Sequence, residues 1–216
     1  LSFEGDRHHQ FRMIRPVKNR FGSTQEIGLF EMKENGLDQI SDPSGYLLSE
    51  RPEDASGSVI SVINEGTRAI LVEIQALVTP TKYGIPKRLS IGYDLQRVFM
   101  LISVLEKQGG FLLSNEDIFI NVIGGIKVRE TSLDLAISAA MISSFRNKRL
   151  NPGAVVLGEV GLTGEVRSIT RMEQRLIQAE KLGFSKFFIP GANVDNLKGK
   201  RNVIKIKRVK DLIEGI

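Results

Sequence analysis

Residues Lys18-Asn19-Arg20-Phe21-Gly22 close a stretch from Arg7 to Gln25 that carries Arg7, Arg12, Arg15, Lys18 and Arg20 and no Asp or Glu. Cations that alternate along strands fall into rows, and a row of cations needs an anion opposite it. Phosphate is the usual anion. A solvated pair of basic strands is the other reading of the same charges. A second run, Lys198 to Lys210, holds Lys198, Lys200, Arg201, Lys205, Lys207, Arg208 and Lys210 and again no acid. It reads as a phosphate-contacting patch, or as an edge strand whose lysines block strand-to-strand aggregation. Lys82, Lys87 and Arg88 form a third cluster, in a loop interrupted by Pro and Gly between Val78 and Ile91.

The bulk numbers set limits on these readings. A chain of 216 residues allows one or two domains, with a core hiding roughly 70% of the unfolded surface. The hydrophobic share of 41% and charged share of 25% are ordinary for a soluble globular protein. Thirty Lys+Arg against 25 Asp+Glu give a net charge of +5, a mild bias toward a polyanionic partner. Without cysteine there is neither a disulfide framework nor a thiolate zinc site, which fits a reducing cytoplasm. With His8 and His9 the only histidines, no metal-ligand spacing arises. No apolar run reaches membrane-spanning length. The chain opens on Leu1 in a strand-like segment, with no basic-then-apolar leader. The expectation is therefore no secretory signal, and a piece of a longer chain.

Residues 1–40 alternate in the strand period, with a turn at Phe21-Gly22-Ser23 and a hairpin pair at Asn35-Gly36. Two or three strands are too few for an independent core, so they are expected to dock on something else. Residues 41–57 are rich in Ser, Pro, Asp and Gly and read as a connector. From Ser58 the pattern becomes a complete α/β unit. A hairpin is expected around Gly66-Thr67, then a helix capped by Asp94 and a strand over 118–122. Thr131 or Ser132 is expected to cap the next helix, before a strand over 154–160. The last helix of the series is expected to start at a Thr170/Glu173 capping box, before two closing strands. Arg97 is expected to line an interface.

The run "EGDRHHQFRMIRPVKNRFGSTQEIGLFEM", Glu4 to Met32, resembles the end of the RecA-like ATPase core of the RadA/Sms recombination proteins, whose signature is Lys-Asn-Arg-Phe-Gly. Residues 58–216 resemble the protease domain of Lon, through Asn121 to Gly125, Glu130 to Ser144, and the more specific Gly158 to Asn193. The resemblance implies an α/β fold, a Lon-like domain of mixed sheets and packed helices behind a few strands of a RecA-like core. It also implies a hexameric, ATP-driven motor that extends recombination intermediates by branch migration on single-stranded or branched DNA. Recombinase and replication proteins would be its partners, in the cytoplasm and with no membrane. ATP and Mg would serve the whole protein, and a zinc module would precede the core. No Gly-x-x-x-x-Gly-Lys-Ser/Thr loop occurs here. Lys18 and Arg20 would instead reach a neighbour's phosphates, Arg20 bracing two oxygens and Lys18 adding a point charge, with Asn19, Phe21 and Gly22 holding the turn.

Lon peptidases pair a serine nucleophile with a lysine that must be kept neutral to act as a base. By resemblance Ser132 stands near the nucleophile position. Leu133 and Asp134 replace the small residues after it, and Glu173 occupies the lysine position. As ordinary structural residues, Ser132 is a helix cap and Glu173 a capping-box partner. The expectation is no peptidase activity, with ring assembly and DNA contact as the chain's own work. An active peptidase and a purely structural ring-forming module are the rivals.

Overall fold

The computed structural model describes residues 2–4, 11–15, 28–33, 36–52, 54–82, 84–195 and 197–214. The Lys18–Gly22 motif lies outside them. The first strands form an antiparallel meander, β1 (Ser2–Glu4), β2 (Phe11–Arg15), β3 (Gly28–Lys33) and β4 (Gly36–Gln39), in that spatial order. The sequence led to two or three strands, and among the described residues there are four.

The stretch expected to be a plain connector contains a helix, α1 (Pro43–Leu48). Asp42 caps it by accepting from the Gly45 N–H at 3.1 Å, and Pro43 sits where its missing N–H costs nothing. Ser44 and Leu47 are buried. The helix docks because a backbone donor needs it: the Leu71 N–H donates to Ser44 Oγ at 3.0 Å.

The remaining elements are β5 (Ser58–Glu65), β6 (Arg68–Pro80), β7 (Arg88–Ile91), α2 (Leu95–Gly109), β8 (Glu116–Val122), α3 (Asp134–Arg146), β9 (Ala154–Val156), β10 (Glu159–Val160), β11 (Val166–Arg167), α4 (Met172–Lys181), β12 (Lys186–Pro190), α5 (Gly191–Val194) and β13 (Asn202–Ile206). Seven strands make one mixed sheet in the order β13-β12-β9-β5-β6-β8-β7. The β5–β6 and β6–β8 pairs are antiparallel, and the other pairs are parallel. This is the mixed α/β class expected from the sequence.

Strand alternation sorts the core into two layers. Val59, Ile63, Ile70, Val72 and Ile74 pack with α2 and with α3, an almost wholly buried helix. Ile60, Val62, Leu71 and Phe187 face the other way, onto Met172, Leu176 and Ala179 of α4.

The Asp94 cap forms as expected, accepting from Arg97 N–H at 2.8 Å. The other two expected caps do not. A 3-10 turn over Thr131–Leu133 precedes α3, which starts after Leu133 with no side-chain cap. Arg171, at φ 55°, stands before α4, and the left-handed region rules out the extended cap geometry that Thr170 would have led into. The expected 154–160 strand is broken into β9 and β10.

Gly57 is the tightest backbone approach before the main sheet. It has φ +82°, and an added Cβ would stand 2.2 Å from the Ala76 carbonyl oxygen. Its N–H donates to Ser143 Oγ, and its carbonyl accepts from the Ala76 N–H. Gly57→Ala should therefore lose more than the roughly 1–2 kcal/mol of left-handed strain alone. Gly199→Ala, at φ +79° with nothing within 4 Å, should lose only that strain. Urea denaturation of the two variants measures the difference.

Candidate functional site: a closed serine centre and an open basic edge

Ser132 is buried, 3% exposed. Its Oγ accepts from Nη1 of Arg175 at 3.2 Å. Arg175 extends from α4 into the interior and is itself only 1% exposed. Nη1 also donates to Glu130 Oε1 at 3.0 Å and, through a short bond, to the Val62 carbonyl. Nη2 donates to Glu130 Oε2 at 2.7 Å, and Nε to the Thr170 carbonyl at 3.2 Å. Asn64, with its amide oxygen turned to the guanidinium, accepts from Nε and Nη2. Glu130 Oε1 takes the Asn64 N–H as well, at 2.9 Å.

A serine hydroxyl needs a neighbour that can take its proton. The group beside Ser132 is a guanidinium, which has no lone pair to offer. Glu173, expected from the sequence resemblance at the place of a catalytic lysine, does not stand there. Its carboxylate meets Arg201 at 2.9 Å and the Lys198 N–H. That hydrogen bond from Arg201 holds the Glu173 carboxyl below the usual glutamate range. The structure thus does not bring Ser132 and Glu173 together, and neither caps a helix.

Asp134, beside the serine turn, is fully buried. It accepts from Tyr93 Oη at 2.7 Å, the Val160 N–H at 3.1 Å, Arg97 Nε at 3.1 Å, and Arg97 Nη2 through a short bond. Arg97, expected at an interface, is an internal partner and ties α2 to α3. Burial, then the adjacent Asp134 charge, pushes the Tyr93 hydroxyl above its ordinary range. Sequence reading missed Arg175, Glu130 and Asn64. The available signals were an arginine three residues after Met172 on an apolar helix face, and a lone Asp134 opening an otherwise apolar helix.

The basic run falls on and around β13, an edge strand of the main sheet. Lys198, Lys200, Lys205, Lys207, Arg208 and Lys210 are exposed. Among the described residues none of these six side chains forms an ion pair. Arg201 differs: its side chain is 10% exposed and clamped between Glu173 and Glu180. In the third cluster Lys82 and Lys87 are exposed. The Arg88 guanidinium instead donates to the carbonyls of Leu113, Glu116 and Lys87, inside its own fold. Arg88 also begins strand β7 rather than lying in a loop. Among the described residues no group of His, Asp and Glu could hold a metal ion, and no helix is long and apolar enough to cross a membrane.

Comparison with known proteins then places the chain. It is 47% identical over 99% of its length to the DNA repair protein RadA of Halalkalibacterium halodurans, and 53% identical over 90% to that of Bacillus subtilis. A third RadA, from Streptococcus pneumoniae, is 51% identical over 88% of the chain. The chain belongs to the RadA family. Residues 84–193 also match the family described as subunit ChlI of Mg-chelatase, a segment running from the β7 approach through Ser132 and Arg175 to α5. The chain spans somewhat less than half the length of these relatives, 47%, 43% and 45% respectively.

Two outcomes test the closed centre. Removing the fully buried Arg175 leaves a cavity and strips the buried Val62 carbonyl of its donor, so Arg175→Ala should cost about 2–4 kcal/mol in urea unfolding. Ser132→Ala should cost about 1 kcal/mol. The Glu173–Arg201 contact carries a pH signature. The folded Glu173 pKa lies below its unfolded value, so its contribution is present above the ordinary glutamate range and is lost as pH falls through the lowered value. Arg201→Ala should flatten that acid limb of a melting-temperature profile.

Proposed function

We propose that this chain serves DNA repair as a non-catalytic part of an ATP-driven DNA motor, contributing ring contacts and DNA contacts on a Lon-type scaffold without peptidase activity. The observation that carries this reading is the row of unpaired cations along the open β13 edge, in a chain matched to DNA repair proteins over nearly its whole length. Lys200, Lys205, Lys207 and Lys210 present exposed charge that no carboxylate among the described residues meets in an ion pair, joined by Lys198 beside Glu173 and by Arg208, which also donates to the Thr163 carbonyl at 3.4 Å. A ring would gather one such edge from each copy, and weak phosphate contacts would add up through effective concentration. Lys82 and Lys87 stand at the far end of the sheet as a smaller second patch. Arg201 and Arg88, both occupied internally, are left out of the contact set.

ATP and Mg belong to the whole protein. The chain has no glycine-rich phosphate loop, so its part in hydrolysis is the reach of Lys18 and Arg20 toward a neighbouring subunit's nucleotide. Recombinase and replication proteins are the expected partners, and a zinc module lies elsewhere in the whole protein. The peptidase alternative is disfavoured by the guanidinium that fills the place of a base beside Ser132.

Binding of a single-stranded oligonucleotide across a salt series tests the DNA contact. Each phosphate contact contributes about −0.7 to the slope of log K against log salt for a single strand. Replacing Lys205 and Lys207 by Glu should weaken binding and make the slope shallower by about 1–1.5. An unchanged slope would favour the purely structural module. A fluorogenic peptide turned over by the chain, with activity lost in Ser132→Ala, would overturn the non-peptidase reading. In the full-length protein, Lys18→Ala should abolish ATP-dependent strand work while leaving the assembly's mass unchanged in light scattering.

A further inference from the structure

Among the described residues the main sheet is covered on both faces at one end. The layer built by α4 packs on Ile60, Val62 and Leu71 and stops there. Beyond it the same face opens at the Leu77 end of β6 and over β7, where Leu77, Leu89 and Ile91 are exposed among the described residues. The pairing register lines up Leu77, Phe119 and Leu89 across three strands. Ile91 follows in the next row, opposite Asn121. Leu77 is 56% exposed, and Leu89 and Ile91 are each 50% exposed. An apolar row of this kind, continuous across strands, marks an interaction surface rather than scattered surface residues.

The strand beside that row is also open. β7 is the last strand of the sheet. The Ile118 N–H donates to the Lys87 carbonyl, which fixes the parallel register. Peptide groups of residues 87, 89 and 91 therefore turn toward β8, and those of Arg88 and Ser90 point to the open edge. Edge strands are commonly protected by charged side chains or proline. Here Leu89 and Ile91 supply the exposed side chains, and the Arg88 guanidinium is folded onto carbonyls behind it.

Charge brackets this strip. Lys87 immediately precedes β7, and Lys82 lies in the approach to it. At the other end the Val128 N–H donates to the Gly92 carbonyl at 2.8 Å, which brings the Lys127–Arg129 segment alongside. Lys82, Lys87, Lys127 and Arg129 are all exposed, and among the described residues none forms an ion pair. The carboxylate in the apolar strip's neighbouring row, Asp117, is already engaged by Thr81 Oγ1 and the Lys87 N–H.

We propose that the β7 edge and its apolar row receive an extended, acidic segment of a partner protein, which adds to the sheet as an eighth strand. Its backbone pairs with the peptide groups of Arg88 and Ser90. Alternate apolar side chains stand beside Leu89 and Ile91, extending the row by one strand, and its carboxylates face the four cations. A nucleic acid fits less well, because aliphatic side chains dominate the strip and give bases little to stack on. A second copy presenting the same edge would bring like charges together. The proposal stands apart from the β13 edge and does not depend on DNA binding there.

The test is fluorescence anisotropy on the 216-residue chain, with a labelled acidic peptide alternating aspartate and valine as the probe. The peptide should bind, and its lysine-for-aspartate counterpart should not. Leu89→Asp combined with Ile91→Asp should weaken binding by about tenfold or more. Lys127→Glu with Arg129→Glu touches only exposed side chains and should also weaken it, with an unchanged melting temperature. Absence of peptide binding, or equal binding by both variants and the parent chain, overturns the proposal. So does oligothymidylate displacing the peptide through the same residues, which would make the strip a nucleic-acid surface. A fall in solution mass caused by Leu89→Asp would make it a face between copies, and would overturn the proposal too.

Discussion

A guanidinium sealed inside a protein must have its donors met, and Arg175 imposes that demand on everything around it. Its partners come from β5 through Val62 and Asn64, from the segment before α3 through Glu130 and Ser132, and from the turn into α4 through Thr170. Three pieces of chain distant in sequence are fixed against one side chain. The left-handed Arg171 that opens α4 belongs to the same arrangement: Arg171 Nη1 and Gln174 Nε2 donate to the Gly66 and Thr67 carbonyls, anchoring the start of the helix on the β5–β6 hairpin.

The chemical consequence follows from the same geometry. Where a hydrolase would keep an exposed hydroxyl and a proton acceptor, this fold has a buried hydroxyl and a permanent cation. Asp134 completes the closure from the other side. Held by Tyr93, Arg97 and the Val160 N–H, it turns the start of α3 into a fixed joint between α2 and β10. Polar groups at this centre serve one another.

That surface separates into two edges of different character. β13 is lined by cations the interior does not need, whereas Arg201 nearby is drawn in to hold α4 through Glu173 and Glu180. β7 offers aliphatic side chains and open peptide groups instead. A mixed sheet with parallel pairs at both ends has two free edges by construction, and the two are specialised by the residues that border them.

Periodicity alone determined the hairpin over β5 and β6, the Asp94-capped helix, and β8, β12 and β13, because each is set by local alternation or by one capping bond. The family was legible from the Lys18–Gly22 run, whose residue order is specific. Composition located the basic runs but could not sort them. Lys205 and Arg201 look alike in sequence, and only the placement of Glu173 and Glu180 next to one of them makes it structural. The caps expected of Thr131 and Ser132 failed for a related reason: a hydroxyl takes its best available partner, and Glu159 and Arg175 reach these two from far along the chain. α1 was hidden because its reason for forming, an unmet N–H on β6, exists only once the sheet is assembled. Local rules act on neighbours in sequence, whereas burial and charge pairing act on neighbours in space. The tertiary structure therefore decided which ionisable groups are internal and which remain to meet a partner.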